Sequence, residues 1–213
     1  MSTFLSIGSG PGMDLATAER FAREGFQVVL SARNEGKVRD LAEQLKAKGH
    51  KVEVRTVDAG DPASVAKLVE GVERDFGGID VLHFNAASMR NQTLADQPRD
   101  SFNTDLAVNI GGAAVAAQAA APKMLQRGSG SVLFTGGGFG LQPHPEYLSL
   151  SIGKAGHKTA PDQRVRSSIR HLQCGSHPHR TGRNPPTPVI PMGLMARPKL
   201  AESGLAAFGR ARR

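Results

Sequence analysis

Three groups of residues have the types and spacing for chemistry. The first is Gly8-Ser9-Gly10-Pro11-Gly12-Met13-Asp14. Glycines let a backbone approach a pyrophosphate closely, and a helix starting just after them adds free N–H groups and a positive dipole end. Asp14 fits this badly: it either faces the phosphate and repels it, or serves as a favourable charge on the helix N-terminus, the preferred reading. The second group is Arg33, closing the run FQVVLSAR. An arginine here can pair with the 2′-phosphate of NADP, and no carboxylate that would take the ribose hydroxyls of NAD occurs before Glu35. NADP is expected ahead of NAD; the alternative is a solvated surface arginine. The third is Lys154, with the chain's single tyrosine, Tyr147, seven residues before it. His171, Cys174, His177 and His179 have a spacing that zinc accepts, but no second ligand cluster accompanies them, and no metal is expected.

These groups need elements to hold them. FLSI at 4–7, FQVVLS at 26–31, the valines 52, 54 and 57, IDVLHF at 79–84 and SVLFT at 131–135 read as strands. Between them, Leu15, Ala18, Phe21 and Ala22 recur with helical spacing, as do Val38, Leu41, Ala42 and Leu45. So do Val65, Leu68, Val69, Val72 and Phe76, and residues 102–125 form a long Ala-rich helix. Alternation in units of about 25–30 residues predicts βαβ crossovers and an α/β fold: a doubly wound, Rossmann-type parallel sheet. Its first strand-to-helix turn is the glycine segment, where such folds bind dinucleotides.

With those elements in place, residues 3–156 resemble the short-chain dehydrogenase/reductase family. The family's paired glycines match Gly8 and Gly12, and its third glycine falls at Asp14. Its acidic residue after the third strand matches Asp58. Its Asn-Ala-Gly motif resembles Asn85-Ala86-Ala87, its helical asparagine matches Asn109, and its lysine matches Lys154 in SIGKAG. The resemblance implies an NADP-dependent oxidoreductase acting on a small carbonyl or alcohol. Gly8, Ser9, Gly10, Gly12, Met13, Arg33, Asp58, Asn85, Ala86 and Lys154 would hold the cofactor, while Asn109 and Lys154 would remain of the catalytic set. Asn109 has a structural reading of equal weight. The family's catalytic tyrosine falls at Leu150 and its serine at Gly137, so a hydroxyl acid and a carbonyl donor are both missing. Tyr147, Ser149 and Ser151 are weak substitutes. A dinucleotide-binding protein without catalysis is therefore the second reading. Related enzymes pair through helices like 102–125, which makes a homodimer an expectation.

Composition sets the outer limits. The 213 residues are 39% hydrophobic and 22% charged, as in one globular α/β domain. No apolar run nears the ~20 residues of a membrane helix, the start does not read as a signal peptide, and a lone Cys174 fits a reducing compartment, so a cytoplasmic location is expected. The net charge of +8 is uneven. Residues 1–154 carry 16 Lys+Arg against 17 Asp+Glu, whereas 155–213 carry 11 against 2, with seven of the 13 prolines. The reading is a dinucleotide-binding domain at 1–156 followed by a basic, Pro/Arg-rich tail at 157–213 without regular structure, leaving the sheet incomplete at its C-terminal end. Nonspecific nucleic-acid binding by the tail is a third, weaker function: it has a single aromatic, Phe208, for stacking on bases. So abrupt a change is also what out-of-frame reading of a GC-rich gene produces.

Overall fold

Strands buried along their whole length need cover on both faces, and a parallel order supplies it by carrying each crossover over the sheet. The computed structural model describes residues 1–157 and the backbone of 169–172. Its strands are β1 (Thr3–Ile7), β2 (Gln27–Ala32), β3 (Val52–Thr56), β4 (Val81–Phe84), β5 (Ser131–Thr135) and β6 (Ile169–Leu172). They lie in the order β3-β2-β1-β4-β5-β6, every neighbouring pair parallel. This is the doubly wound, Rossmann-type sheet expected from the alternation.

The helices are α1 (Met13–Arg23), α2 (Glu35–Lys46), α3 (Pro62–Phe76), α4 (Arg99–Leu106), α5 (Gly112–Arg127) and α6 (Leu148–Gly156). On one face, α1 and α2 bury Ala18, Phe21, Val38, Leu41 and Leu45 against Phe4, Val28, Leu30 and Leu133, with Phe4 stacked on Phe21 at 4.6 Å. On the other, Val65, Val69 and Val72 of α3 and Ala113, Ala116 and Ala120 of α5 cover Leu5, Ile7, Leu82, Phe84 and Phe134. Asn34 and Asp61 start α2 and α3 by accepting from the backbone N–H groups of Lys37 and Ala63. The Ala-rich helix begins and ends a little outside 102–125, and a π turn, Ala107–Gly111, joins α4 to α5.

One expectation needs correction. No strand is legible after residue 156, yet β6 pairs with β5 along Val132↔Ile169 to Thr135↔Leu172. The compact unit runs Met1–His177, so the sheet passes the expected boundary. Ile-Arg-His-Leu is short and half charged or polar, which leaves its strand character invisible in the pattern. Of the four residues with zinc-like spacing, His171 has only its backbone described, and Cys174, His177 and His179 lie outside the described residues. The rest of the basic tail, Phe208 included, lies outside them too.

Candidate active site

Strand order reverses between β1 and β4, and the crevice beyond their C-terminal ends is where open α/β sheets take ligands. The glycine turn leaves β1 there. Gly8 has φ +89°, and a Cβ on it would fall 2.3 Å from the backbone N of Ala86, so no other residue fits beside the chain leaving β4. The N–H groups of Gly8 and Ser9 both donate to Ser31 O at 2.8 Å, and Ser9 Oγ accepts from Ser31 N at 3.0 Å. Gly12, φ +92°, precedes α1, whose N-terminus no side chain caps. A Cβ on Gly10 or Gly12 would meet nothing within 4 Å, so this side of the turn is open. Free N–H groups and an open approach suit an anion.

Asp14 departs from the phosphate-facing reading. It stays in the first turn of α1, but its side chain is 1% exposed and turns under the helix. Oδ1 accepts from Ser6 Oγ of β1, and His83 Nδ1 of β4 lies 3.1 Å from the same oxygen. The carboxylate thus does not face the open turn; it lies in the first turn of α1, as the helix-charge reading has it, but buried. A glycine here normally lets helix and strand pack closely; this chain fills the space with a buried polar cluster.

Arg33 follows β2 directly, is exposed, and has no ion pair among the described residues. Asp58 lies at the next strand end, with Oδ1 accepting from Gly60 N at 2.9 Å. Asn85 N and Ala86 N both donate to Ile7 O, and Asn85 Nδ2 donates to Gly8 O at 2.9 Å. The two chain segments at the reversal point are therefore tied together.

Lys154 is 8% exposed on α6, and its Nζ donates to Thr135 O at 2.8 Å. Burial lowers its pKa to about 8, since a desolvated ammonium favours losing its proton. Asn109 lies wholly buried in the π turn. Its Oδ1 accepts from Ser88 N at 2.7 Å, its Nδ2 donates to Ser88 O at 3.2 Å, and its carbonyl contacts His157 Nε2. Both ends of its side chain hold the loop after β4. A Cβ on Gly153 would come within 2.4 Å of Asn109 Cβ, so α6 presses directly on the π turn.

Sequence reasoning missed the anchor beside it. Asp105, 1% exposed, accepts from Ser88 Oγ (2.5 Å), Arg90 Nε (2.8 Å), Gln97 Nε2 (3.0 Å) and Ser149 Oγ (2.9 Å). Burial works against its ionisation, but hydrogen bonds from Arg90, Ser88 and Ser149 outweigh that and lower its pKa. His83 and Thr135 were missed as well. His83 inside the otherwise apolar β4 was the available signal; Thr135 only closes β5.

The short chain dehydrogenase family model matches residues 2–160. The chain belongs to that family. An uncharacterized oxidoreductase of Staphylococcus aureus is 33% identical over 126 residues, which cover 59% of this chain and 54% of the relative. One from Thermotoga maritima is 29% identical over 149 residues, covering 70% and 58%. The chain thus spans little more than half the length of these relatives. A metagenomic short-chain oxidoreductase solved with NADP has the same fold, with a TM-score of 0.75 at 23% identity over 81% of this chain and 79% of its own. A 3-oxoacyl (acyl-carrier-protein) reductase from Agrobacterium tumefaciens with NADP bound gives 0.74 at 26% identity, covering 81% and 68%.

For a short-chain dehydrogenase, the positions around Lys154 are unusual. Leu150 is buried at 5% exposure and offers no proton. Gly137 is extended, and a Cβ there would sit 3.8 Å from Lys154 Cγ, an ordinary contact, so a serine would fit. Tyr147 precedes α6, stacks on Phe139 at 5.0 Å, and its hydroxyl accepts from Asn91 Nδ2 at 3.2 Å. Ser149 is committed to Asp105, and buried Ser151 accepts from His144 N at 3.1 Å. Each replacement hydroxyl already has a structural partner.

Proposed function

We propose that this chain is an NADP(H)-binding oxidoreductase scaffold, with a small carbonyl or alcohol as substrate class and slow turnover. The observation that carries the cofactor reading is the open glycine turn on an α1 that no side chain caps, with exposed Arg33 just past the end of the neighbouring strand. The pyrophosphate would rest on Gly8, Ser9, Gly10, Gly12 and Met13, and Arg33 would take a 2′-phosphate. Asp58 and Ala86 stand beside the adenine and the pyrophosphate in this reading. Asn85 and Lys154 belong to the nicotinamide end. When bound, the cofactor supplies or accepts the hydride.

The chain's own residues supply little else. An alkoxide developing from a carbonyl needs a proton from a positioned acid, typically a factor of ~10²–10⁴ in rate. Leu150 has none to give, and Gly137 has no hydroxyl to hold the carbonyl oxygen. Lys154 bears its charge near the site without a hydroxyl to act through. This favours the second reading, a dinucleotide-binding protein with impaired catalysis, over brisk turnover. Asn109 is assigned the structural role, because both ends of its side chain are bonded to Ser88.

We also place the protein in the reducing cytoplasm, on its lone cysteine, and expect pairing of two copies through the small-residue outer stripe of α5. No helix among the described residues is long and apolar enough to cross a membrane. Nucleic-acid binding rests on tail charge alone and is not favoured. Titrating the purified chain with NADPH and NADH, then screening carbonyl substrates, tests the proposal. Tighter binding of NADPH with weak turnover is expected; binding of neither nucleotide overturns it.

A further inference from the structure

Asp14, Ser6 and His83 meet where a short-chain dehydrogenase has only a glycine against the sheet. Ser6 and His83 are register partners across β1 and β4, so both reach the same face beneath α1. Both are fully buried, and Asp14 nearly so. His83 Nδ1 is close to Asp14 Oδ1, but outside the angle of a straight ring N–H bond, and Asp14 Oδ2 has no hydrogen-bond partner among the described residues. Burying three polar groups costs more than packing three apolar ones. Packing alone gives no reason to keep them.

The cluster leads somewhere. His83 Nε2 lies 3.0 Å from Thr135 Oγ1 on β5, Thr135 Oγ1 lies 2.9 Å from Asn85 Oδ1, and Asn85 Nδ2 lies 2.9 Å from Gly8 O. Directions follow from chemistry. A carbonyl only accepts, so Asn85 must point its amide N–H at Gly8 and its oxygen at Thr135. That oxygen takes the single hydroxyl proton of Thr135, leaving Thr135 to accept from His83. His83 Nε2 therefore carries a proton. The carbonyl of Thr135 meanwhile accepts from Lys154 Nζ at 2.8 Å.

We infer that His83 is a positioning residue of the dinucleotide site, acting through Thr135 and Asn85 on the carbonyl of Gly8. The inference rests on the dinucleotide reading above. It links the glycine turn and Lys154 through one threonine, so the two ends of the crevice are set together. Among the described residues, no hydrogen bond joins His83 to Gly8 or Lys154 directly.

Two amide variants separate this role from simple filling of space. In His83→Gln the amide nitrogen stands where Nε2 was and still donates to Thr135. In His83→Asn it stands where Nδ1 was, facing Asp14, and the bond to Thr135 is lost. Both keep a polar group in the cluster, so both should lower the thermal midpoint alike. NADPH affinity, by fluorescence titration, should stay within about twofold for His83→Gln and fall about five- to tenfold for His83→Asn. Thr135→Val, which keeps the carbonyl used by Lys154, should lose a similar factor and serves if the histidine variants fold poorly. In the cofactor-free protein, imidazole ¹⁵N shifts should show His83 protonated at Nε2. Equal affinities for the two amide variants, unchanged binding by Thr135→Val, or a bare Nε2 would each overturn the inference while the dinucleotide reading stands. No NADPH binding by the unmodified chain would overturn both.

Discussion

At Arg33 and Lys154 the chemistry turns on charge. Arg33 is exposed and has no ion pair among the described residues, so replacing it costs the fold little and the cofactor much. Arg33→Ala should weaken NADPH binding about tenfold to a hundredfold, as expected for a charge-assisted contact of ~1.5–3 kcal/mol, and leave NADH nearly unchanged. Paired titrations of the two nucleotides check it. Lys154 predicts a pH effect. Its folded pKa is about 8 against an ordinary 10.5. Between those values the unfolded chain holds a proton that the folded one has released, so stability rises with pH across that window. Urea midpoints from pH 7.5 to 10.5 should show a rise that Lys154→Met abolishes. Asp14 shows where residue types stop informing. Its place at the third glycine position is plain in the sequence, but its direction is not, because Ser6 and His83 lie 8 and 69 residues away along the chain.

The crevice depends on how elements are tied, and Asp105 is the tie that reaches furthest. It gathers Ser88, Arg90 and Gln97 from the loop after β4 and Ser149 from α6. Asp105→Ala leaves those donors without an acceptor and should destabilise the fold by about 2–3 kcal/mol, seen as a lower urea midpoint. The same carboxylate predicts an acid effect. Its pKa is lowered in the fold, so its contribution is present above the ordinary carboxylate range and is lost as pH falls through the folded value. Apolar runs made β1, β2, β4 and β5 legible, and helical spacing revealed α1, α2 and α3. Asp105 stayed hidden because its four partners are spread over 61 residues of chain, and β6 because Ile-Arg-His-Leu has no apolar alternation.

For the whole molecule, binding and turnover are expected to part company. A tenfold excess of NADPH over its dissociation constant should stabilise the chain by about 1.4 kcal/mol, visible as a higher thermal midpoint. Carbonyl reduction should nonetheless stay far below the ~10 s⁻¹ common among enzymes. Leu150→Tyr with Gly137→Ser should recover little. The serine has room, but a tyrosine at Leu150 must enter a buried site, and an enclosed, preorganised pocket needs more than two side chains. Turnover near that common rate in the unmodified chain would point to Tyr147 as the acid, and Tyr147→Phe would then abolish it. The match to the family ends at residue 160, close to where the charge balance changes. β6 nonetheless adds a strand beyond that point, where such an enzyme continues its sheet. Inspecting the coding DNA for a shifted frame after Lys154 would test whether the basic composition arose from out-of-frame reading.

The π turn at Ala107–Gly111 has a rotational consequence. A helix advances about 100° per residue, so Asp105 and Met124, 19 positions apart, would face directions about 100° apart on an unbroken α-helix. A π turn absorbs one residue without that advance. Asp105 and Met124 are consequently both buried, one toward the crevice loops and one toward the sheet. Deleting a single residue between 107 and 111 would restore regular hydrogen bonding and turn one of those two faces toward water. The irregular turn therefore keeps a single helix in phase with two different parts of the molecule.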